Sequence, residues 1–107
     1  MAAKVYPVVF TPEALGQIED LYSFIAETNS HLIAQRYTDA IINYCETLQT
    51  FPLRGAVRDD IRPGLRITNF KGRCVIAFDV SDERVSIIGI FYGGQDYETA
   101  LNEPDPE

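Results

Sequence analysis

The first half of the chain has two stretches in which apolar residues recur at helical spacing. Thr11, Pro12 and Glu13 signal a helix start, because the hydroxyl can cap the first turn, proline suits the first helical position and an acid suits this end. An apolar stripe follows at Leu15, Ile18, Leu21, Tyr22 and Ile25. The pattern predicts a helix that ends near Thr28 and Asn29.

A second helical stripe begins directly after the first. Asn29 or Ser30 can cap this helix, and the pattern ends at Phe51 and Pro52. Its apolar positions are Ile33, Tyr37, Ala40, Ile41, Tyr44 and Leu48. Because the connection is short, we expect the two helices to lie antiparallel as a hairpin. Each helix is apolar on one side only, so the hairpin must cover a sheet.

Four segments have the composition and alternation of β-strands. Short polar turns join the last three of them, and the four span residues 5–10, 64–69, 73–80 and 84–92. The order β-α-α-β-β-β predicts an α+β fold, in which the helical hairpin packs on one face of a small, mainly antiparallel four-stranded sheet. We expect one domain over residues 1–101, ending in a helical turn from Asp96 to Leu101. Residues 102–107 are acidic, and we expect this tail to be disordered.

Strand alternation predicts which residues lie on each face of the sheet. The apolar row that should face the helices is Cys74, Ile76, Phe78 and Val80. Strict alternation in the last strand places Ile88 and Ile90 together, opposite to Val85, Ile87 and Phe91.

The far face of the predicted sheet mixes charged and apolar residues. We expect it to present Arg66, Thr68, Arg73, Val75 and Ala77, with one apolar row from the last strand. A sheet covered on one side usually exposes a polar face on the other. Two interpretations stay open: this face is a docking surface for another chain, or it lies under the chain's own C-terminal segment around Leu101.

Composition narrows the classes of function. The net charge of −7 argues against a free-standing, sequence-specific nucleic-acid binder, which usually carries a basic patch. The two cysteines lie far apart, and with one histidine they match no metal-ligand spacing, so we predict reduced thiols, no metal and no cofactor. No apolar run has the roughly 20 residues that span a bilayer, and no signal peptide is evident, so we predict a cytoplasmic protein without a membrane partner.

In its order of elements and in several segments, the chain resembles the RelE/ParE superfamily, the toxins of bacterial type II toxin–antitoxin systems. The resemblance rests on the element order and on the segments FTPEALGQIEDLYSFIAE, RPGLRITNFKGRCVIAFDV and RVSIIGIFYGGQDYE. It extends from about Val5 to Leu101, and the ParE-like branch fits better than the RelE-like branch.

The resemblance implies a growth-arresting toxin that inhibits DNA gyrase and so serves plasmid or chromosome maintenance. It also implies a cognate antitoxin, ParD-like and of the ribbon-helix-helix type, whose C-terminal segment folds on binding to give a hetero-oligomer. On this interpretation the partner-binding residues are Arg66, Arg73, Val75, Ala77, Tyr92 and Gln95.

Two alternatives stay open. RelE-like relatives are ribosome-dependent endoribonucleases that use cationic side chains and a tyrosine, and the candidates here are Arg66, Arg73 and Tyr97. Their main strand arginine corresponds to Val75, and Gln95 follows the last strand where they have another basic residue. We therefore favour a non-catalytic inhibitor. The other alternative is a degenerate, non-toxic member that acts in operon regulation.

Overall fold

The computed structural model describes residues 5–102, the last of these by its backbone alone. The elements are β1 (Val8–Phe10), α1 (Pro12–Thr28), α2 (His31–Glu46), a 3-10 turn (Thr47–Gln49), β2 (Ala56–Val57), β3 (Leu65–Phe70), β4 (Cys74–Val80), β5 (Val85–Tyr92) and α3 (Tyr97–Asn102). Within the described residues, no helix is both long and apolar enough to span a membrane. Residues 103–107 of the predicted acidic tail lie outside the described residues.

Both long helices begin where their capping residues predict. The Thr11 side chain accepts a hydrogen bond from the Ala14 N–H, and Pro12 occupies the first helical position. The Ser30 side chain likewise accepts from the Ile33 N–H at 3.1 Å. With only two residues between them, the helices form the predicted hairpin, which packs on the sheet.

The sheet has five strands in the order β1-β5-β4-β3-β2. Strands β3, β4 and β5 form the predicted antiparallel meander, and β1 pairs parallel to β5, with Val8 opposite Val85. The prediction of four strands is wrong by one, because the segment predicted as a loop after Pro52 contains β2, which pairs with β3. Two residues are too few to show an alternating pattern, so this strand has no sequence signal.

The main hydrophobic core lies between the hairpin and the sheet. Its fully buried large side chains include Ile41 and Leu48 from the helical layer and Ile76, Phe78, Val85 and Ile87 from the sheet. Cys45 and Cys74 are buried there as free thiols, and burial raises their pKa values to about 12 and about 11. Thiols of this kind behave as small apolar groups and are poor nucleophiles.

A second hydrophobic core covers the far face of the sheet. It consists of Ile61, Leu65, Ile67, Ala77, Phe91 and Leu101, with Val75, Ile88 and Tyr97 packed against it; we call it the outer core. The loop after β2 contributes Ile61, and α3 contributes Leu101. Of the two interpretations of this face, the structure supports cover by the chain's own C-terminal segment.

Two face assignments made from strict alternation are wrong. In the pairing of β4 with β5, Ala77 lies opposite Gly89 but Phe78 lies opposite Ile87, so β5 has a bulge at Ile88. Beyond the bulge the faces exchange, and as a result Ile90 joins the main core whereas Phe91 joins the outer core.

The predicted faces of strand β3 are also reversed in the structure. Arg66 pairs with Phe78, and the Thr68 hydroxyl lies 3.0 Å from the Tyr44 hydroxyl on α2, so both residues lie on the helix side. The outward residues of this strand are Leu65, Ile67 and Asn69. A slip of one residue in a predicted strand moves every side chain to the other face.

Candidate functional site

A groove of about 520 Å³ lies between α1 and the end of β5. Its lining residues are Gln17, Asp20, Leu21, Phe24, Arg73, Ile90, Tyr92, Gly93 and Gln95. Helix α1 forms one wall, and the last residues of β5 with the following turn form the other. This groove combines apolar surface, two opposite charges and an exposed strand edge, which is the usual composition of a binding site.

Within the part of the chain that the structure describes, no strand lies beside β5 in this groove. Strand β1 pairs with β5 only as far as Ile87, and the chain then turns into α1, with the Thr11 N–H donating to the Ile87 carbonyl. Past that point two glutamine side chains replace a strand. The Gln17 Oε1 accepts from the Ile90 N–H at 2.7 Å, and the Gln95 Oε1 accepts from the Tyr92 N–H at 2.9 Å. These bonds satisfy backbone donors that would otherwise be open.

Aromatic rings form the apolar wall of the groove. Phe24 on α1 is 54% exposed, and its ring centroid lies 6.4 Å from that of Tyr92. Tyr92 in turn packs edge-on against Tyr37 at 5.6 Å. The Tyr37 hydroxyl is buried and has no hydrogen-bond partner among the described residues, and burial chiefly raises the pKa of Tyr37 to about 12.

Replacing Tyr37 by phenylalanine is expected to leave the free energy of unfolding unchanged or to raise it by up to about 1 kcal/mol, because a buried hydroxyl without a partner is removed. The effect grows with alkaline pH. Unfolded tyrosine ionises near pH 10 whereas folded Tyr37 ionises near 12, so the wild-type chain loses stability as pH rises through this window. Denaturant unfolding of both proteins at pH 7 and between pH 10 and 12 measures the difference. A variant less stable than wild type at both pH values would contradict this expectation.

Two charged side chains line the groove. Arg73 lies just before β4 at the end next to Gly93, whose N–H donates to the Arg73 carbonyl. Asp20 lies on α1, between Gln17 and Phe24 in sequence. Both side chains are exposed, and neither makes an ion pair with another described residue. The Arg73 guanidinium is thus available to an incoming anion.

The structure brings together three of the six predicted partner-binding residues. Arg73, Tyr92 and Gln95 line the groove, but the other three do not. Arg66 lies on the helix side of the sheet, where its guanidinium donates to the carbonyls of Arg54 and Leu53 at 3.0 and 2.7 Å. Its placement beside Arg73 on the far face is therefore wrong.

Val75 and Ala77 were predicted as partner-binding residues, but Ala77 lies in the outer core and Val75 packs against it. Ala77 is fully buried, with 0% of its surface exposed, so its prediction as an accessible partner-binding residue is wrong. Val75 is half-buried against the same cluster. The physical reason is that Phe91 and Leu101 cover the outward apolar row of β4, which was predicted from the sequence to be accessible to a partner.

The candidate nuclease residues do not form one site. Tyr97 packs against Phe91 on the outer face, and its hydroxyl accepts from the Arg58 Nη1 at 3.0 Å. Arg66 lies on the opposite face of the sheet, bonded to backbone carbonyls. Since Arg73 lines the groove at the end of β5, the predicted grouping of Arg66, Arg73 and Tyr97 is not found.

Comparison with known families agrees with this fold. A family model described as the ParE toxin of the type II toxin–antitoxin system parDE matches residues 8–97, most of the chain. The chain belongs to the ParE toxin family. A solved structure from the chromosomal ParDE toxin–antitoxin system of P. aeruginosa superposes with a TM-score of 0.73. The match has 19% identity and covers 84% of this chain and 98% of that chain, and it shows the same fold. None of the curated proteins matches the sequence.

In this ParE-family chain, arginines that the sequence did not single out fasten α3 to the loop after β2. Arg58 donates to both carboxylate oxygens of Asp60 and, at 3.1 Å, to Glu98 of α3. These carboxylates raise the pKa of the Arg58 guanidinium, and Arg58 lowers the pKa of Asp60. Arg62 donates from Nε to the Leu101 carbonyl at 3.0 Å. The contacts of Arg58 with Glu98 and of Arg62 with Leu101 join residues about 40 positions apart, which sequence spacing alone does not reveal.

Gln17 is, with Asp20 and Phe24, one of the groove residues that sequence reasoning missed. A glutamine on the polar side of a helix has no pattern that marks it, and its contact with Ile90 depends on the bulge in β5. Among the described residues, no group of three or more His, Cys, Asp or Glu side chains is placed to hold a metal ion.

Proposed function

We propose that this ParE-family chain arrests bacterial growth by binding and inhibiting DNA gyrase in the cytoplasm, without catalysing nucleic-acid cleavage. A cognate ParD-like antitoxin neutralises it by binding the same chain. The proposal extends the family assignment to the target and to the mode of action.

The main support for a non-catalytic mode of action is that the candidate nuclease residues Arg66, Arg73 and Tyr97 do not lie together in the structure. Cleavage of RNA by a 2′-hydroxyl develops charge that must be stabilised by several groups converging on one phosphate. Here Arg66 bonds to two backbone carbonyls on one face, and Tyr97 bonds to Arg58 on the other. Arg58 is itself neutralised by Asp60 and Glu98. The net charge of −7 likewise disfavours a stable complex with the ribosome, which is a polyanion.

The groove beside β5 supports the partner-binding role. It contains an unpaired arginine, a half-exposed phenylalanine and a strand edge that only side chains occupy. Those features suit recognition of a polypeptide, and no arrangement of the described residues around it resembles a catalytic acid and base pair.

Four measurements test the proposal together. The chain is expressed from a repressed promoter in a bacterial host, and growth, replication and cleavage of translated messages are followed after induction. Purified protein is then added to DNA gyrase with relaxed plasmid. We expect growth arrest, blocked replication, inhibited supercoiling and intact messages.

Tyr97→Phe serves as the matched variant for the mode of action. A nuclease that used the Tyr97 hydroxyl would lose about 10²–10³ in rate, in the range found when one stabilising donor is removed. A binding inhibitor would keep its effect on gyrase, because the hydrogen bond of this hydroxyl, among the residues that the structure describes, is with Arg58 of the same chain. Cleavage in the ribosomal A site would contradict the proposal, and absence of growth arrest would favour a non-toxic operon regulator.

A further inference from the structure

We propose that a strip of aromatic rings and cations beside β2 and β3 binds an acidic polypeptide segment of the protein that this chain inhibits. We call it the ring–cation strip, and its side chains follow one another in the order Phe51, Arg54, Tyr44, Phe70 and Lys71. This inference rests on the proposed function, since it names the chemistry by which the target is recognised.

The side chains of the ring–cation strip contact one another in an unbroken line. The Arg54 guanidinium carbon lies 5.2 Å from the centroid of the Phe51 ring and 5.6 Å from that of Tyr44. The Tyr44 and Phe70 centroids are 5.3 Å apart, and the Lys71 Nζ lies 5.4 Å from the Phe70 centroid. These distances are typical of cation–π contacts and packed ring pairs. The line therefore combines two cations with a connected apolar surface.

Neither cation of the ring–cation strip has a carboxylate partner among the described residues. The ion pairs found there are those of Arg58, whereas the Arg54 Nη1 donates to the Thr47 hydroxyl at 3.2 Å. The Lys71 side chain is exposed. In a chain with a net charge of −7, two such cations on one line form a local positive region. This region favours an anionic ligand.

The backbone at Lys71 is a second, independent observation. Its φ is +53°, and among the described residues it is the one non-glycine residue with a positive φ. This conformation is unfavourable for a residue with a Cβ, and strained residues of this kind cluster at functional sites. Glycine would suit the position better, so the strain points to a role for the lysine side chain.

An extended peptide matches the dimensions of the ring–cation strip. Three contacts of 5.6, 5.3 and 5.4 Å connect Arg54 to Lys71, and about five extended residues at about 3.3 Å each cover this length. Carboxylates near the two ends of such a segment would meet the two cations. Apolar side chains between them would meet Tyr44 and Phe70, and Phe51, which is 58% exposed, extends the apolar contact.

The charge of the whole chain favours an acidic peptide over a nucleic-acid strand. A nucleic acid presents one phosphate for every nucleotide, so a strand that continued past the two cations would meet a chain with a net charge of −7. A peptide needs only two carboxylates, placed where the cations are.

The ring–cation strip is separate from the groove beside β5. Strand β2 lies at one edge of the sheet, whereas the groove lies toward the other edge, near β1 and β5. The lining of the groove includes none of the five residues of the strip. The proposed function requires contacts with a target and with an antitoxin, and two separate surfaces allow each contact to be changed without the other.

A charge reversal at Lys71 tests the ring–cation strip, with Arg84→Glu as the matched control. Arg84 is exposed in the turn at the other end of β4, and its reversal changes the net charge equally. The probe is a fluorescent peptide of alternating glutamate and valine, about ten residues long, whose binding is followed by anisotropy. Lys71→Glu should weaken binding by at least about tenfold, whereas Arg84→Glu should not change it. Replacing glutamate by glutamine in the peptide should also weaken binding by at least about tenfold.

Lys71→Gly distinguishes a loss of binding from a loss of folding. Glycine adopts a positive φ without strain, so the midpoint of thermal unfolding should not fall. The affinity for the acidic peptide should nevertheless decrease by about threefold or more, because one cation is removed. A Lys71→Gly variant that bound the peptide as tightly as wild type would contradict the role of the lysine.

Inhibition of gyrase and binding of the antitoxin complete the test. Lys71→Glu should need at least about ten times more protein than wild type to inhibit supercoiling, while its affinity for the antitoxin stays within about twofold. Equal effects of Lys71→Glu and Arg84→Glu, or a defect of Lys71→Glu in antitoxin binding alone, would overturn the inference. Absence of peptide binding to the wild-type chain, or tighter binding of a single-stranded oligonucleotide than of the peptide, would overturn it as well. If the wild-type chain bound the peptide through Lys71 but left gyrase active, the proposed target would be refuted, whereas the strip would stand as an acidic-peptide site.

Discussion

Replacing Leu101 by aspartate is expected to lower the free energy of unfolding by about 2–5 kcal/mol, the range found when a buried leucine is truncated. Leu101 is only 6% exposed and closes the outer core from α3. An aspartate there would lose the apolar contact and would also have to be desolvated or to leave the site. Because α3 has only six residues, we expect it to detach and to expose Phe91 and Ala77.

The matched control is Ala100→Asp, which introduces the same charge one residue earlier at an exposed position of α3. Its effect should stay within about 0.5 kcal/mol. Thermal unfolding should show a midpoint at least about 10 °C lower for the Leu101 variant, and a dye that binds apolar surface should respond to that variant alone. If both variants melted together, α3 would not be an integral part of the fold.

Replacing Gly55 by alanine is the other change with a large expected effect, a loss of about 2–5 kcal/mol from left-handed backbone strain and overpacking together. Gly55 has a φ of +77°, and a Cβ there would overlap the carbonyl oxygen of Ile67 on β3 and approach its carbonyl carbon to 2.9 Å. Backbone cannot move aside as a flexible side chain can. We therefore expect β2 to separate from β3, and the Arg66 contacts with Arg54 and Leu53 to be lost with it.

A substitution at Gly64 distinguishes the backbone strain at positive φ from the overpacking. Its φ of +79° is almost the same, but a Cβ there would meet no atom within 4 Å. Gly64→Ala should therefore show only the conformational cost, about 1–2 kcal/mol. Urea denaturation of the two variants measures the difference, and equal midpoints would show that the close approach of Gly55 to β3 has no energetic effect.

The sequence predicted the hairpin and the meander well, because their signals are local. Thr11 and Ser30 mark helix starts by chemistry that acts within one turn, and the structure has both caps. The row from Cys74 to Val80 alternates without interruption, so its face was assigned correctly. Family membership followed from the same ordered elements.

The candidate site was predicted only in part, because it depends on non-local features. The bulge at Ile88 exchanges the faces of Ile90 and Phe91. The sequence of β5 is an uninterrupted apolar run that gives no sign of a bulge. Burial of Ala77 depends on Leu101, which is distant in sequence. Arg73, Tyr92 and Gln95 do share the groove, although the sequence pattern placed Arg73 on a face that the chain itself covers.

The parallel pairing of β1 with β5 has a consequence for biosynthesis. The first described strand pairs with the last one, and most of the described chain separates Val8 from Val85. A ribosome adds residues at about 5–20 per second, so the N-terminal strand waits for seconds before the sheet can close around it. Because the groove needs both α1 and the end of β5, it takes shape only after β5 has been synthesised. Until then, the nascent chain lacks the groove that the folded protein presents.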